Sequence, residues 1–393
     1  MAKLSVTQLP LDARRVFLRA DLNVPLADGA VTNDTRIRAM LPTLRLCLER
    51  GAAVVLASHL GRPGGTLDPG LSLAPVAVRL SELLGSAVPL APDCVGPETL
   101  ERARAVRPGQ LVLLENLRFH PGEEANDPEF ARALAALADC YVNDAFAAAH
   151  RAQASIDAIT RFLQPAAAGL LMQRELATLG RILEAPERPL VAILGGAKVS
   201  DKLALVENLL ARVDALAIGG AMAFTFTRAL GYETGRSLVE PELVETARRT
   251  LDESRRRGVG IALPVDAVVA EGPESAAGST VSIREIPADR MALDVGPLTV
   301  GQFGDLIKRA RTVVWNGPMG VFEHAPFAGG TLAVAEAVAA ASAFTVVGGG
   351  DTVAAVQRAG VAERIGYIST AGGAFLEYLE GRKLPGVEAL TEA

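Results

Sequence analysis

Arginine and histidine gather at one set of chain positions and glycine at another, and both arrangements suit phosphate chemistry. In the first half, short apolar runs end in Arg19-Ala-Asp21-Leu-Asn23, Ser58-His59-Leu-Gly-Arg62, Glu115-Asn116-Leu-Arg118-Phe-His120, Asn143-Asp144 and His150-Arg151. In the second half they end in Gly195-Gly196-Ala-Lys198, Gly219-Gly220, Asn316-Gly317-Pro318, Gly348-Gly349-Gly350-Asp351 and Gly372-Gly373. Arginine forks stay charged and grip phosphate or carboxylate bidentately, so the first set suits a small, highly charged anion. Glycine turns running into helices suit a nucleotide, whose phosphates need close approach to backbone N–H groups. Ligands of open α/β sheets sit at the carboxyl ends of the strands, so two tip chemistries imply two sites. The pattern points to an enzyme joining a small anion to a nucleotide.

The charged tips read as a nest. His59 and Arg62 flank a glycine, and Arg118 and Arg151 join them from other tips as a cationic cluster. Asp21 and Asn23, at alternate positions, point the same way and could accept hydroxyls from a small polyol or acid. A turn rich in Asx residues is the competing reading. Arg36 opens the next helix, where a plain surface charge is the simpler account.

On the glycine side, Lys198 and Lys202 fall four residues apart on an expected first helical turn, with Ser200 or Asp201 near the N-cap. Lysine there opposes the helix dipole, and a bound anion would relieve the conflict. Neither G-x-x-x-x-G-K-[ST] nor G-x-G-x-x-G occurs, which argues against an ordinary dinucleotide fingerprint. Gly349 and Gly350 leave backbone N–H groups bare, and Asp351 is either a hard oxygen ligand for Mg²⁺ beside phosphate or a simple N-cap. Glu323 could accept from ribose hydroxyls. The four histidines and three cysteines show no zinc spacing, and no Ser-His-Asp or Cys-His pairing supports covalent catalysis.

The tips require strands and helices to hold them. Runs such as Val54–Ala57, Leu111–Leu114, Val191–Leu194, Leu216–Ile218, Thr312–Trp315 and Phe344–Val347 are short and uniformly apolar, as in parallel strands covered on both faces. Between them lie helical patterns: Asn33–Arg50 places Ile37, Met40, Leu41, Leu44 and Leu48 on one face and stops at Gly51. The alternation predicts an α/β chain of doubly wound parallel, Rossmann-like sheets. At 393 residues, two domains are expected. Residues 164–169 read as a breaker before a helix over 170–183, which either bridges the domains or lies on a surface. A net charge of −6 gives no field for nucleic acid or an anionic membrane. No apolar run is long enough to span a bilayer, and the cysteines read as reduced thiols, so a soluble cytoplasmic protein is expected.

Taken together the motifs resemble the phosphoglycerate kinase family: RADLNVP (19–25), SHLGRP (58–63), LLENLRFHPGEE (113–124), YVNDAF (141–146), AHRA (149–152), GGAKVSDK (195–202), WNGPMGVFE (315–323), GGGDT (348–352) and LPGV (384–387). The resemblance implies two α/β domains facing a cleft and joined by a hinge helix. It makes 1–170, completed by a tail of about 376–393, the phosphoglycerate domain, and 171–375 the nucleotide domain. It implies phosphoryl transfer between 1,3-bisphosphoglycerate and Mg-ADP, giving 3-phosphoglycerate and ATP, by a monomer with Mg²⁺ and no nucleic-acid or membrane partner. By matching motifs, Asp21, Asn23, Arg36, His59, Arg62, Arg118 and Arg151 would bind the phosphoglycerate. Ala197, Lys198, Lys202, Gly220, Ala292, Asn316, Val321, Glu323, Gly349, Gly350, Asp351 and Thr352 would serve the nucleotide, with Asp351 toward the metal. Arg36, Lys198, Gly372 and Gly373 would address the transferring group. Gln153, Ala292 and Ala371 depart from the residues usual in the family. A nicotinamide-dependent dehydrogenase would fit the α/β pattern but lacks the glycine fingerprint. A non-catalytic binding module has no use for Lys198, Lys202 and Asp351 together.

Overall fold

The apolar runs become parallel strands in both halves of the chain. The structure, a computed structural model, describes residues 2–393. These form two units, Met1–Ala177 with Lys383–Ala393, and Thr178–Arg382.

The first unit contains β1 (Arg15–Arg19), a hairpin of β2 (Leu26–Ala27) and β3 (Ala30–Val31), β4 (Ala53–Ala57), β5 (Leu111–Leu113), β6 (Cys140–Asn143) and β7 (Ala166–Ala168). Its parallel sheet runs β5-β4-β1-β6-β7, so the chain starts centrally and winds outward both ways. Register aligns the tips, with Arg19 beside both Ala57 and Asn143. Val16, Phe17 and Leu18 are wholly buried, as a strand covered on both faces requires. Each such side chain contributes about 1.5–3 kcal/mol by leaving water. The helices are α1 (Thr35–Glu49), α2 (Ala74–Leu84), α3 (Pro97–Ala105), α4 (Pro121–Glu124), α5 (Pro128–Ala135) and α6 (Leu170–Leu183), the last of which crosses the unit boundary. Helix α1 forms although Pro42 lies inside it. An interior proline costs about 3 kcal/mol, which burial of Ile37, Met40, Leu41, Leu44 and Cys47 on its inner face outweighs.

The 164–169 segment departs from its reading as a breaker. Ala166–Ala168 is an edge strand paired with Tyr141–Asn143, hidden because three alanines carry no strand propensity of their own.

The second unit contains β8 (Leu190–Leu194), β9 (Ala215–Ile218), β10 (Gly260–Ala262), β11 (Asp266–Ala270), β12 (Ser279–Ser282), β13 (Met291–Val295), β14 (Thr312–Asn316), β15 (Phe344–Val347) and β16 (Tyr367–Ile368). Its main sheet runs β10-β9-β8-β14-β15-β16, again parallel and wound outward from the first strand. Helices α7 (Leu203–Leu210), α8 (Met222–Ala229), α9 (Val244–Arg257), α10 (Pro297–Arg309), α11 (Gly329–Ala340), α12 (Gly350–Arg358) and α13 (Gly373–Leu379) accompany it. A three-stranded antiparallel sheet, β12-β11-β13, interrupts the alternation, which periodicity alone did not foretell. Strand β12 is polar and mostly exposed, so it carries no apolar signal.

The tail belongs to the first unit. Helix α14 (Pro385–Glu388) is held by Gly386 N donating to Ala149 O (2.8 Å), and Thr391 N donates to Ala166 O (2.9 Å) beside β7.

Candidate functional site

In the first unit the ends of β1, β4, β5 and β6 are tied to one another by short bonds. Leu22 N donates to Ser58 Oγ (2.8 Å) and Gly61 N to Asn23 Oδ1 (2.9 Å). Asn116 clamps Leu60 from both sides, accepting from its N–H (3.1 Å) and donating to its carbonyl (2.7 Å). Arg118 Nη1 donates to Gly61 O (2.8 Å), and its Nε lies 3.3 Å from Glu124 Oε1. Arg36 Nη1 reaches Asp21 Oδ2 (3.0 Å) and the carbonyl of Asn23 (3.0 Å). Arg62 is exposed and Arg151 half-buried, neither with a side-chain partner among the described residues.

Two expectations change here. Asp21 and Asn23 do not continue a strand: Asp21 Oδ1 accepts from Asn23 N (3.1 Å), the Asx turn weighed against the hydroxyl-binding reading. The nest is also less cationic than its residues suggest. Burial pushes the His59 imidazole well below its ordinary value, and the charges of Arg19, Arg118, Arg36 and Arg151 push the same way. His59 is therefore neutral, and the positive charge comes from arginines alone.

Sequence reasoning missed the layer beneath. Arg19, with no exposed surface, meets Glu123 Oε1 at 3.8 Å, and Glu123 is itself fully buried. Ser155 links them, accepting from Arg19 Nε (2.8 Å) and donating to Glu123 Oε1 (2.6 Å). Glu123 sits in the Pro-Gly-Glu-Glu run, which reads as a solvated turn; nothing local marks it as a core carboxylate.

In the second unit the glycine tips follow β8, β9, β14 and β15. Lys202 does not share a helical face with Lys198, because α7 begins only at Leu203. The polypeptide from Lys198 to Asp201 turns instead around Glu240, which accepts from Val199 N (2.5 Å) and Ser200 N (3.1 Å). Burial alone would raise the Glu240 carboxyl, yet bonds from Ser200 and Val199 and the Lys198 charge bring it below its usual value. Lys198 is exposed, whereas Lys202 turns inward, its Nζ donating to Gly195 O (2.6 Å), Asn316 O (3.1 Å) and Asn316 Oδ1. Burial pulls Lys202 down to about 8. Asn316 Nδ2 donates to Gly348 O (2.6 Å) and Thr352 Oγ1 accepts from Gly317 N (2.7 Å), so both bind tips together.

A cavity of about 230 Å³ opens beside these tips. Of the residues assigned to the nucleotide, Ala197, Gly220, Ala292, Val321, Glu323 and Asp351 line it, while Lys198, Lys202, Asn316, Gly349, Gly350 and Thr352 do not. Gly220 must be glycine: its φ is +66°, and a Cβ would stand 2.5 Å from Gly196 N. Phe224, Pro264, Met319 and Asp294 also line the cavity and were not foreseen. Asp294 follows the apolar Met291-Ala-Leu but lies within β13, one residue before its end, so no strand tip marked it. Burial pushes its carboxyl up to about 7 although Gly330 N (2.7 Å) and Val295 N (2.9 Å) donate to it. Gly349 (φ +94°) caps α12, whose first turn carries exposed Asp351, and Gly372 caps α13 at Gly373. An exposed carboxylate such as Asp351 fits Mg²⁺, which takes one or two protein carboxylates and completes its shell with phosphate and water.

The fold also assembles one ligand set with no sequence spacing to announce it: Asp93, Cys94 and His120 place their donor atoms within 4.8 Å of one another. Each is already engaged, His120 Nε2 with Asp93 Oδ1 (2.5 Å) and Cys94 Sγ with Glu115 O (2.9 Å). All three cysteines are buried and free. Among the described residues no helix is long and apolar enough to cross a membrane.

Comparison with known proteins supplies the frame for both sets of tips. The family model described as phosphoglycerate kinase matches residues 6–382. Phosphoglycerate kinases of Moorella thermoacetica and Thermomicrobium roseum are 56% and 58% identical, over 100% and 99% of both chains. Solved structures of phosphoglycerate kinase from Coxiella burnetii (TM-score 0.92, 44% identity) and Pyrococcus horikoshii (TM-score 0.85, 36% identity) each cover 98% of this chain and 98% of their own.

Proposed function

From the premise that the chain belongs to the phosphoglycerate kinase family, we propose that it moves a phosphoryl group reversibly between the acyl phosphate of 1,3-bisphosphoglycerate and Mg-ADP, giving 3-phosphoglycerate and ATP. It is a kinase of glycolysis, a transferase with a carboxyl group as acceptor. The observation that carries the detailed reading is the division of tips: arginines around neutral His59 in one unit, glycines and half-buried Lys202 in the other. Asp21, Asn23, His59, Arg62, Arg118 and Arg151 hold the phosphoglycerate, and Arg36 lies where charge develops.

A carboxylate attacks or leaves without a proton transfer, so the chemistry needs no general acid or base. Catalysis is then positioning and electrostatic stabilisation of negative charge spread over three phosphoryl oxygens. Exposed Lys198 and the N–H groups of Gly372 and Gly373 address the transferring group. The cavity lined by Ala197, Gly220, Ala292, Val321 and Glu323 takes the nucleoside. Lys202, Asn316, Gly349, Gly350 and Thr352 shape the phosphate end. Mg²⁺, held by Asp351 and the nucleotide phosphates, would neutralise charge on ADP.

The two substrates occupy different compact units, so in-line transfer requires closure about the connecting segments, which also expels water. A monomeric, cytoplasmic enzyme completes the proposal. The reaction is tested by coupling ATP-dependent phosphorylation of 3-phosphoglycerate to a reporter enzyme; no turnover by the purified chain overturns it. Closure is tested by small-angle scattering. The radius of gyration should fall only when both substrates are bound, and an unchanged radius in an active ternary complex rejects closure.

Lys202 gives a pH signature. Its folded pKa, about 8, lies below the ordinary lysine value of 10.5, so it is part-neutral in the free enzyme near that pH. An anionic polyphosphate nearby favours the charged form and raises the pKa, so ADP binding at about pH 8–9 should take up a fraction of a proton. Calorimetry in buffers of different ionisation enthalpy reads this uptake directly. Equal uptake by Lys202→Met would assign it elsewhere.

A further inference from the structure

We propose that Arg19 is a positioning residue that holds His59 in the neutral Nε2–H form, so that His59 meets the phosphoglycerate as an uncharged donor among cations. The inference deepens the reading that the first-unit tips bind this anion and rests on it. Its basis is one contact and its consequences. Arg19 Nη2 lies 3.2 Å from His59 Nδ1, both residues being buried. A guanidinium keeps all its protons and can only donate. Nδ1 must therefore accept, which leaves the ring proton on Nε2.

Arg19 cannot turn away to release the ring. Its Nε donates to Ser155 Oγ (2.8 Å), its Nη1 to Ala20 O (2.5 Å), and Nη2 faces Glu123 Oε1 at 3.8 Å. Glu123 is fixed in turn by Ser155 Oγ (2.6 Å) and Ser155 N (2.9 Å). The guanidinium is thus locked with one N–H aimed at Nδ1, and all of Arg19, Ser155 and Glu123 lie at zero exposure.

The opposite nitrogen is the one left for a ligand. Nε2 has no protein partner among the described residues, yet it is not among the buried polar atoms left unpaired. It therefore reaches solvent through the small exposed edge of His59, 6% of the residue. An imidazolium at this place would face Arg19, Arg118, Arg36 and Arg151, all of which disfavour it, and Glu123 is the buried carboxylate that balances Arg19. Fixing the neutral form gives the anion a donor whose strength does not change across neutral pH, which a freely titrating histidine lacks.

The test is long-range ¹H–¹⁵N correlation spectroscopy of the full-length protein labelled at histidine, with the His59→Gln spectrum assigning the resonance among four histidines. In the free enzyme Nδ1 should show the shift of an unprotonated nitrogen and Nε2 that of a protonated one. Both should hold from neutral pH down to about 5.5, a full unit below the ordinary histidine value. An Nδ1–H form, tautomer-averaged shifts, or an imidazolium in that range overturns the assignment to Arg19. On adding 3-phosphoglycerate the Nε2 resonance should move while Nδ1 stays in place. An unmoved Nε2 at saturation overturns His59 as the donor, a result distinguishable from failure of the tautomer because the first measurement needs no ligand. Arg19→Met, checked for native circular dichroism, should show averaged tautomers; wild-type shifts in that folded variant overturn the role of Arg19.

Discussion

Arg36→Ala should cost about 100- to 1000-fold in turnover while the protein stays folded, the loss typical of one charge-stabilising group at a reacting centre. The structural side of that expectation is modest. Arg36 retains about a third of its side-chain exposure, and its bonds run to Asp21 and to the carbonyl of Asn23. A part-exposed ion pair of this kind contributes at most about 1 kcal/mol. Asp21 keeps its bond from Asn23 N when the guanidinium is gone. The measurement is kcat at saturating substrates beside a melting curve. Near-normal turnover removes Arg36 from the reacting centre, and a collapsed melting temperature makes the residue structural. Arg62→Ala is the control within the same site. Its exposed side chain has no protein partner among the described residues, so it should raise KM for 3-phosphoglycerate about tenfold or more and leave ATP affinity unchanged.

Glu123→Ala should destabilise the first unit by about 3–5 kcal/mol, the range for leaving one member of a buried pair uncompensated. The substitution strands Arg19 as a fully buried cation and removes the acceptor for both the N–H and the hydroxyl of Ser155. Tyr141 Oη, which donates to Ser155 O (2.8 Å), loses its anchored partner as well. Trp315, the one tryptophan, is buried in the second unit and serves as an internal reference for that unit. Chemical unfolding followed by far-ultraviolet circular dichroism and by tryptophan fluorescence checks the effect. A loss below about 1 kcal/mol in the dichroism transition means that Arg19 finds water or another anion, and the account of a sealed network fails.

The sequence made the strand tips legible because each follows an apolar run with no competing pattern. Arg19, Ser58, Asp144, Gly195, Gly219, Gly317 and Gly348 stand at or just after strand ends. What it hid were features set by distant partners. Ala166–Ala168 becomes a strand only because Tyr141–Asn143 pairs with it. The Lys202 side chain leaves the helical register because Asn316, 114 residues on, offers its carbonyls. Glu123 reads as solvated until Arg19 and Ser155 close around it, and Ser155 sits 32 residues away. His59 reads as cationic until the count of nearby guanidinium groups and its burial are known. For Lys202 and His59 residue type announced the chemistry, and tertiary burial set the protonation and direction.

The return of Lys383–Ala393 to the first unit makes assembly order differ from chain order. Leu4 N donates to Thr391 O (2.8 Å) and Lys3 Nζ to Glu392 Oε1 (2.6 Å), so residues near the two ends of the chain seal one another. During synthesis the second unit must be made in full before that seal exists. At about 5–20 residues per second, the roughly 200 intervening residues hold the first unit open for about 10–40 s. Through that interval β7 lacks the neighbour that Thr391 provides at Ala166, and Asn143 lacks Gly386. A chain arrested before residue 383 would therefore carry a first unit that lacks its closing segment, however much of the second unit has already been made.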